Sequence, residues 1–252
     1  MSDPLYVYGV VPRDEHPALS AKGVGGSPVE MVEHGDLAAL ASHVGGDTLR
    51  APRELRAHWS VLQEVCEATT VVPVRFGTVL EDEQAVRERL LAANAEHLDE
   101  LLAQLRGCVQ VVVKGSYIEP ELLHEIVTSS AGLSVLSARV RSVPPAAAYY
   151  DRIRLGERIA EAIAERRTAD TQLVLDALGP LAVAARTEDA PGALDSFNVS
   201  LLVKRTAQRE VGRKVEELAQ DLGEAVEVRY VGPLPPYSFA EAQLGSGDAQ
   251  WA

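Results

Sequence analysis

The sequence VQVVVKGSYI, residues 109–118, is an apolar run rich in β-branched side chains near the middle of the chain. Valine fits the pleated, half-buried surface of a sheet, so this run predicts a central β-strand. A helical pattern comes directly before it, because mainly apolar side chains recur every three or four residues from Val86 to Leu105. Gly107 then ends that helix.

Toward the N-terminus, three further strands are predicted. Leu5–Val11, with the sequence LYVYGVV, is β-branched and aromatic, and it stops at Pro12. Two strand patterns, at 29–33 and 37–44, flank the short connection 34–36 and favour a hairpin.

A helix and an extended segment complete the first half. The helix begins at Pro52, which suits a first helical turn, and its face of Leu55, Trp59, Leu62 and Cys66 is expected to cover the sheet. Residues 71–80 read as extended, with Pro73 at a sheet edge. The order strand, hairpin, helix, strand, helix, strand predicts an α+β domain at 1–118, with a mostly antiparallel sheet of ferredoxin-like type.

The second half, residues 119–252, predicts a smaller α+β domain. Short elements at 119–127 and 133–140 precede Pro144-Pro145, which interrupts regular structure. The remaining predicted elements are an amphipathic helix from 149 to 163 that bridges the domains, a short helix at 173–178, strands at 181–186, 197–203 and 226–231, and a helix at 211–222.

Composition limits the function classes. The 252 residues are 46% hydrophobic, enough for a core without a metal or disulfide, and the net charge of −13 opposes binding to nucleic acid. No signal-peptide pattern and no membrane-length apolar run occur, so a cytoplasmic protein is expected. The two cysteines, Cys66 and Cys108, are expected to be buried reduced thiols.

The search for reactive groups predicts no catalytic residue, no metal and no cofactor. The six histidines form no metal-binding motif, and Gly23–Gly26 lacks the Lys-Ser/Thr of a phosphate-binding loop. The sequence GLSVL at 132–136 lacks the second glycine of a nucleophile elbow.

Two polar-aromatic segments remain. In 72–78, Arg75 interrupts an apolar run, and pairing with a core acid is favoured over contact with a ligand. The segment 232–239, GPLPPYSF, is expected to form a polyproline II-like tail rather than a helix or a ladder strand. Tyr237 and Phe239 favour docking of this tail near Val74–Phe76 over its exposure to a partner.

These segments carry a family resemblance. PVRFGTV at 73–79 and GPLPPYSF at 232–239 resemble the paired signature blocks of the gas vesicle protein F/L family, and VVVK at 111–114, LGERI at 155–159 and FNVSLLV at 197–203 resemble supporting blocks. The sequence departs from the family pattern at Gln110, where an acid is expected, and at Leu234, where a tryptophan is expected.

The resemblance implies a non-enzymatic accessory protein of gas vesicle assembly, located with the vesicle. It implies two α+β domains, the first a modified ferredoxin-like fold, and contact with the small hydrophobic shell protein and with other accessory proteins. It leaves open whether the protein acts as a transient chaperone, a nucleator or a minor shell component, and whether it is of the F or the L type. The signature positions expected to bind partners or support structure are Pro73, Arg75, Phe76, Gly77, Lys114, Pro235, Pro236, Tyr237 and Phe239.

Two alternatives stay open on the residues alone. A ferredoxin-like small-molecule-binding protein or enzyme would hold its ligand near Arg75 and Lys114. An adaptor ligand of the PxxP type would need an exposed Pro233–Pro236 segment.

Overall fold

The computed structural model describes residues 4–45, 52–189 and 192–244. The strands are β1 Leu5–Pro12, β2 Glu30–His34, β3 Leu37–His43, β4 Val72–Pro73, β5 Val79–Leu80, β6 Cys108–Tyr117, β7 Ala184–Thr187, β8 Asp195–Lys204 and β9 Val226–Leu234. The helices are α1 Pro52–Ala68, α2 Glu83–Ala85, α3 Ala95–Leu105, α4 Glu119–Ser129, α5 Ala131–Ser142, α6 Tyr149–Leu178, α7 Gln208–Leu222 and α8 Tyr237–Leu244. The predicted α+β class is confirmed.

The first sheet has the order β2-β3-β1-β4, and β5 also pairs with β1. Its pairs are antiparallel, and the β2–β3 hairpin is confirmed. Strand β4 lies at the edge of this order, as Pro73 predicts, and meets β1 at Gly9. A Cβ atom at Gly9 would lie 2.8 Å from Val71 Cγ2 and 2.9 Å from the Val72 carbonyl oxygen, so glycine permits the close approach of β4.

The helical segment 83–105 is less regular than its spacing predicts. A π-helical segment, Val86–Leu91, and a 3₁₀ turn, Ala92–Asn94, separate α2 from α3. The Asn94 side chain donates hydrogen bonds to the carbonyl oxygens of Arg89 (3.1 Å) and Leu90 (2.8 Å), which is the kind of local competition that perturbs a helix. The leucines of this segment still join the core beneath the sheet.

The expected buried face of α1 is confirmed at Leu62 and Cys66 and is wrong by one position in the N-terminal half of the helix. Leu55 is 52% exposed and Trp59 is 38% exposed, whereas Glu54 and His58 are buried with Leu62 and Cys66. The two polar side chains are buried because hydrogen bonds inside the fold satisfy them, as described below.

The second sheet has the order β7-β8-β6-β9. The apolar face of α7 is buried as predicted, and the helices predicted at 149–163 and 173–178 are one helix, α6. They are continuous because neither proline nor glycine lies between residues 157 and 178. Strand β9 continues through Gly232 to Leu234, so the prediction that this stretch leaves the ladder is wrong.

Two compact units divide the chain. One comprises the residues up to Gln110, Leu202–Arg205 and the residues from Gly232 onward, and the other comprises Val111–Leu201 and Thr206–Val231. The division into domains at 118 and 119 stays a prediction. In the described ranges, no helix is both long and apolar enough to span a bilayer.

Candidate functional site

The C-terminal segment folds back onto the first unit. Phe239 is buried in the same apolar cluster as Val72 and Val74, and the Tyr237 hydroxyl donates to the Val74 carbonyl oxygen over 3.3 Å. The predicted docking near Val74–Phe76 is therefore confirmed.

The form of the docked segment differs from the prediction. Residues from Tyr237 form the helix α8, because the two prolines lie before its first turn, where a missing N–H costs nothing. Pro235 and Pro236 are buried, so the alternative of an exposed PxxP ligand is wrong.

A hydrogen-bond chain through His58 joins the two signature segments. His58 is 1% exposed. Its Nδ1 lies 2.7 Å from the Tyr6 hydroxyl, and its Nε2 lies 2.5 Å from the Tyr237 hydroxyl. The Tyr6 hydroxyl also accepts from the Gly77 N–H at 3.1 Å. The chain thus runs from the Gly77 amide through three side chains to the Val74 carbonyl.

The two ends of this chain fix the proton positions. Since Tyr6 accepts from Gly77, its own proton is available for His58 Nδ1, and since Tyr237 donates to Val74, it can accept from His58 Nε2–H. A neutral imidazole with its proton on Nε2 satisfies every donor, whereas the other tautomer would leave the Tyr6 proton without an acceptor in this chain.

A second hydrogen-bonded group lies beside the first. The Tyr8 hydroxyl lies 2.5 Å from Ser42 Oγ and accepts from the Val24 N–H at 2.7 Å. Glu54 Oε2 accepts from the Gly25 N–H at 2.8 Å. These buried side chains hold the glycine-rich segment Gly23–Gly26, whose residues Val24–Gly26 form a 3₁₀ turn.

Burial sets the ionisation of this cluster. Desolvation lowers the pKa of His58 to about 4, because a buried imidazolium loses its hydration. The same desolvation raises the pKa of the Tyr6 and Tyr8 hydroxyls. At neutral pH the hydrogen-bond chain through His58 is therefore uncharged. Because both ring nitrogens of His58 are engaged, the cluster positions aromatic rings rather than presenting a proton-accepting base.

Three partly exposed aromatic rings lie next to this cluster. Trp59 stacks on Tyr237 with ring centroids 6.0 Å apart and planes 9° apart, and Phe76 meets His58 edge-on at 5.5 Å. Phe76 and Tyr237 are half-buried. We call Trp59, Phe76 and Tyr237 the aromatic rim. Arg75 and Gly77, next to Phe76 in sequence, are exposed.

The predicted signature residues separate by burial. Pro73, Pro235, Pro236 and Phe239 are buried. The side chain of Arg75 is exposed and makes no ion pair with a described residue, so its expected pairing with a core acid is wrong. Arg75 lies in a turn in which the Thr78 N–H and the Thr78 hydroxyl both donate to the backbone carbonyl oxygen of Arg75.

Lys114 and Gln110 have different surroundings. Lys114 is exposed on β6, in the part of that strand assigned to the second unit. Gln110, where the family pattern predicts an acid, accepts from the Ser238 N–H and donates to Ser238 Oγ, both at 3.0 Å. A carboxylate could accept from both groups of Ser238, which gives a physical reason for an acid at this position.

The residues that sequence reasoning missed are Tyr6, Tyr8, Glu54, His58 and Trp59. Tyr6 and Tyr8 lie inside a strand that is buried on both faces, and a buried tyrosine hydroxyl requires a partner. His58 is such a partner for Tyr6, and Glu54, four residues earlier on α1, instead accepts from the Gly25 N–H. The spacing of these two polar residues on one helix face was the available signal.

Two cavities bear on the small-molecule alternative. One of about 840 Å³ lies between α4, α5 and α6, and another of about 470 Å³ lies near Arg13, Asp36 and Arg106. Arg75 and Lys114 line neither of them. Within the three described ranges, His, Cys, Asp and Glu side chains form no group of three or more that could hold a metal ion.

Comparisons with known proteins match nearly the whole chain. The family described as "Gas vesicle synthesis protein GvpL/GvpF" matches residues 4–241. Gas vesicle protein F of Streptomyces sp. (strain CB03234) is 35% identical over 94% of this chain and 99% of its own length. Gas vesicle protein L of the same strain is 29% identical over 93% of this chain and 92% of its own length.

Two crystal structures share the fold. That of GvpF from Anabaena sp. PCC7120 has a TM-score of 0.84 at 24% identity and covers 95% of this chain and 98% of its own. That of GvpF from Microcystis aeruginosa has a TM-score of 0.78 at 25% identity and covers 95% of this chain and 99% of its own.

Proposed function

The chain belongs to the gas vesicle synthesis protein GvpL/GvpF family, and from this membership we propose that it is a non-enzymatic accessory protein of vesicle assembly that binds the small hydrophobic shell protein. It acts at the gas vesicle, together with other gas vesicle proteins. The aromatic rim is the surface that makes the contact.

The observation that supports this proposal is that the aromatic rim is partly exposed while hydrogen bonds inside the fold hold one of its rings in place. Trp59, 38% exposed, stacks on Tyr237, whose hydroxyl is held by His58 and Val74. Rings that are already ordered lose little conformational freedom on binding, and tryptophan and tyrosine are frequent among residues that dominate binding energy. Burying each ring further contributes on the order of 1 kcal/mol.

The chemistry of the expected partner fits such a surface. A shell subunit with an apolar, gas-facing side is prone to aggregate before it is assembled, and covering that side with a soluble protein prevents this. The net charge of −13 keeps the accessory protein itself in solution.

Co-purification from cells that express both proteins tests the proposal. Tagged wild-type chain should retain the shell protein, and Trp59→Ala or Phe76→Ala should lower the retained amount at least about tenfold, as loss of a dominant contact does. The matched control is Val183→Ala, because Val183 is 53% exposed and lies outside the rim. Equal retention by rim and control variants would show that the rim is not the contact.

Ionic strength provides an independent check on the kind of contact. Apolar burial is not screened by salt, so the complex should persist at about 0.5 M salt. Dissociation at that concentration would assign the binding to charge.

A separate measurement distinguishes a transient chaperone from a minor shell component. Finished vesicles are washed and the amount of this protein that stays bound is measured: a transient chaperone is absent, whereas a minor shell component remains.

A further inference from the structure

The three segments that carry the aromatic rim contain no acidic residue. They are residues 55–63, 71–80 and 232–240, and all of them belong to the first compact unit. Their charged side chains at neutral pH are two arginines, Arg56 and Arg75. These segments are therefore positively charged, although the chain as a whole has a net charge of −13.

An acid-rich segment of the first unit lies on the other side of its sheet. Successive side chains of a strand point to opposite faces. On β1, Tyr6 and Tyr8 contact His58 of α1. Val7, between them, joins the apolar cluster that contains the leucines of α3. The segment 81–105, with seven acids and two arginines, therefore packs on the face of the sheet opposite to α1 and the rim.

The acids that border the rim segments in sequence are mostly engaged within the fold. Three of them have a partner: Glu54 pairs with Arg53 at 2.6 Å, Glu64 accepts from the Ser20 N–H at 2.9 Å, and Glu81 pairs with Arg89 at 2.7 Å. Glu54 is also only 3% exposed. The acid that follows the third segment is Glu241. The first three carboxylates are thus not available to neutralise the rim arginines.

An arginine lies beside each end of the row of rings. The rings of the rim and the imidazole between them contact one another in the order Trp59, Tyr237, His58 and Phe76. Arg56 precedes Trp59 by three residues on α1, so the two are neighbours on the helix surface. Arg75 directly precedes Phe76. Both arginines are exposed, and neither makes an ion pair with a described residue.

We propose that Arg56 and Arg75 select what the aromatic rim binds, namely an apolar segment of the partner that is flanked by Asp or Glu side chains. This inference rests on the proposed function, because the arginines can select a partner only if the rim is the contact. The rings hold the segment by apolar burial, and the arginines orient it and speed its approach. Exposed ion pairs are screened and individually weak, so they affect the rate and the choice of binding more than its persistence in salt.

Other occupants fit this surface less well. Nucleic acids and anionic bilayers attract clusters of basic side chains, about four to eight of them for a lipid surface, and the remaining chain would repel both. A second copy of this chain offers carboxylates on its segment 81–105, but that segment has no large apolar side chain among its exposed residues. It could not meet the rings and the arginines together.

The test uses the full chain and two designed amphipathic helical peptides that share one face of Leu and Ile and carry either Glu or Lys beside it. In biolayer interferometry at about 0.05 M salt, wild type should bind the Glu peptide at least about tenfold more tightly than the Lys peptide. Arg56→Glu with Arg75→Glu should remove this preference, and Arg56→Lys with Arg75→Lys should keep it, because the charge is kept. Arg152→Glu with Arg154→Glu, at exposed positions of α6, changes the net charge equally and is the matched control, and it should behave as wild type does. Glu241→Gln should also leave the preference in place.

Salt separates the contribution of the arginines from that of the rings. Raising the salt to about 0.5 M should slow association of the Glu peptide at least about fivefold and leave its dissociation rate unchanged, because screening acts on the approach of charges and not on apolar burial. An association rate that does not depend on salt would contradict the role given to the arginines.

Several results would overturn the inference. These are no binding of the Glu peptide, equal binding of the two peptides, or a preference that the Arg56→Glu with Arg75→Glu variant retains. If Trp59→Ala still weakens both peptides equally, the rim remains the contact and only the selection by charge is wrong. If Trp59→Ala instead retains the shell protein in co-purification, the proposed function itself is wrong.

Two measurements cover the other occupants. Co-sedimentation with vesicles of phosphatidylcholine and phosphatidylglycerol that the double Glu variant abolishes would assign the arginines to a lipid surface instead. In sedimentation velocity, a concentration-dependent dimer that the same variant abolishes would assign them to a second copy of this chain.

Discussion

Tyr237→Phe removes a single oxygen atom from the hydrogen-bond chain and leaves the ring in place. In the wild type this oxygen accepts from His58 Nε2–H at 2.5 Å and donates to the Val74 carbonyl at 3.3 Å. The phenylalanine ring can still stack on Trp59. The substitution therefore tests the hydrogen bonds of the docked C-terminal segment separately from its apolar contacts.

The expected loss follows from the burial of His58. Because the residue His58 is only 1% exposed, water cannot replace the lost hydroxyl as a partner of its Nε2–H, and an unsatisfied buried donor costs about 1 to 3 kcal/mol. For a chain of this size, 1 kcal/mol corresponds to about 2 to 4 °C in melting temperature, so a decrease of about 2 to 12 °C is expected.

Differential scanning calorimetry at pH 7.5 measures this decrease. The matched control is Tyr150→Phe, because Tyr150 is 82% exposed and the same oxygen is lost to solvent, so its melting temperature should stay within about 1 °C of the wild type. If Tyr237→Phe melts with the control, the His58 chain does not hold the C-terminal segment, and the reasoning from its geometry is wrong.

Two further predictions concern pH and packing. Since the pKa of His58 is about 4 in the fold and 6.5 when unperturbed, the unfolded state binds more protons between these values, and His58→Gln should reduce the loss of stability as pH falls from 6.5 to 4, by up to about 3 kcal/mol. Parallel pH dependence of wild type and variant in chemical unfolding would contradict this. Gly115→Ala should destabilise by about 1 to 3 kcal/mol, because an added Cβ would overlap the buried ring of Phe197. Gly156→Ala, where an added Cβ meets nothing within 4 Å on an exposed helix, should stabilise by about 0.5 to 1 kcal/mol, and equal melting temperatures for the two variants would refute the packing argument.

The sequence was sufficient for elements whose apolar pattern matches their burial. Helix α7 buries the side chains that its periodicity marks, because burial of one helix face is what produces that periodicity. Strand β1 and the β2–β3 hairpin form where runs of β-branched and apolar residues predict them. The docking of Phe239 followed from the same principle, since an aromatic side chain next to a proline pair is rarely left in water.

The sequence did not suffice to predict burial where polar side chains are buried or where apolar side chains are exposed. Glu54 and His58 look like surface residues of α1 until their partners on other elements are known, and this displaced the predicted buried face by one position. Helix α6 shows the reverse case. One apolar pattern continues along this helix, but its side chains are exposed near Tyr149 and buried near Val174. Residue spacing shows which side chains share one face of a helix, but only the folded structure shows whether another element packs on that face.

Vesicle formation in cells that lack this chain tests the central proposal most directly. Electron microscopy of the deletion strain should show absent or deformed vesicles, and re-expression of the wild type should restore them. Re-expression of Trp59→Ala with Phe76→Ala should not restore them at equal protein levels, whereas Val183→Ala should. Normal vesicles in the deletion strain would contradict a role in assembly, and full restoration by the rim variant would contradict the assignment of that role to the aromatic rim.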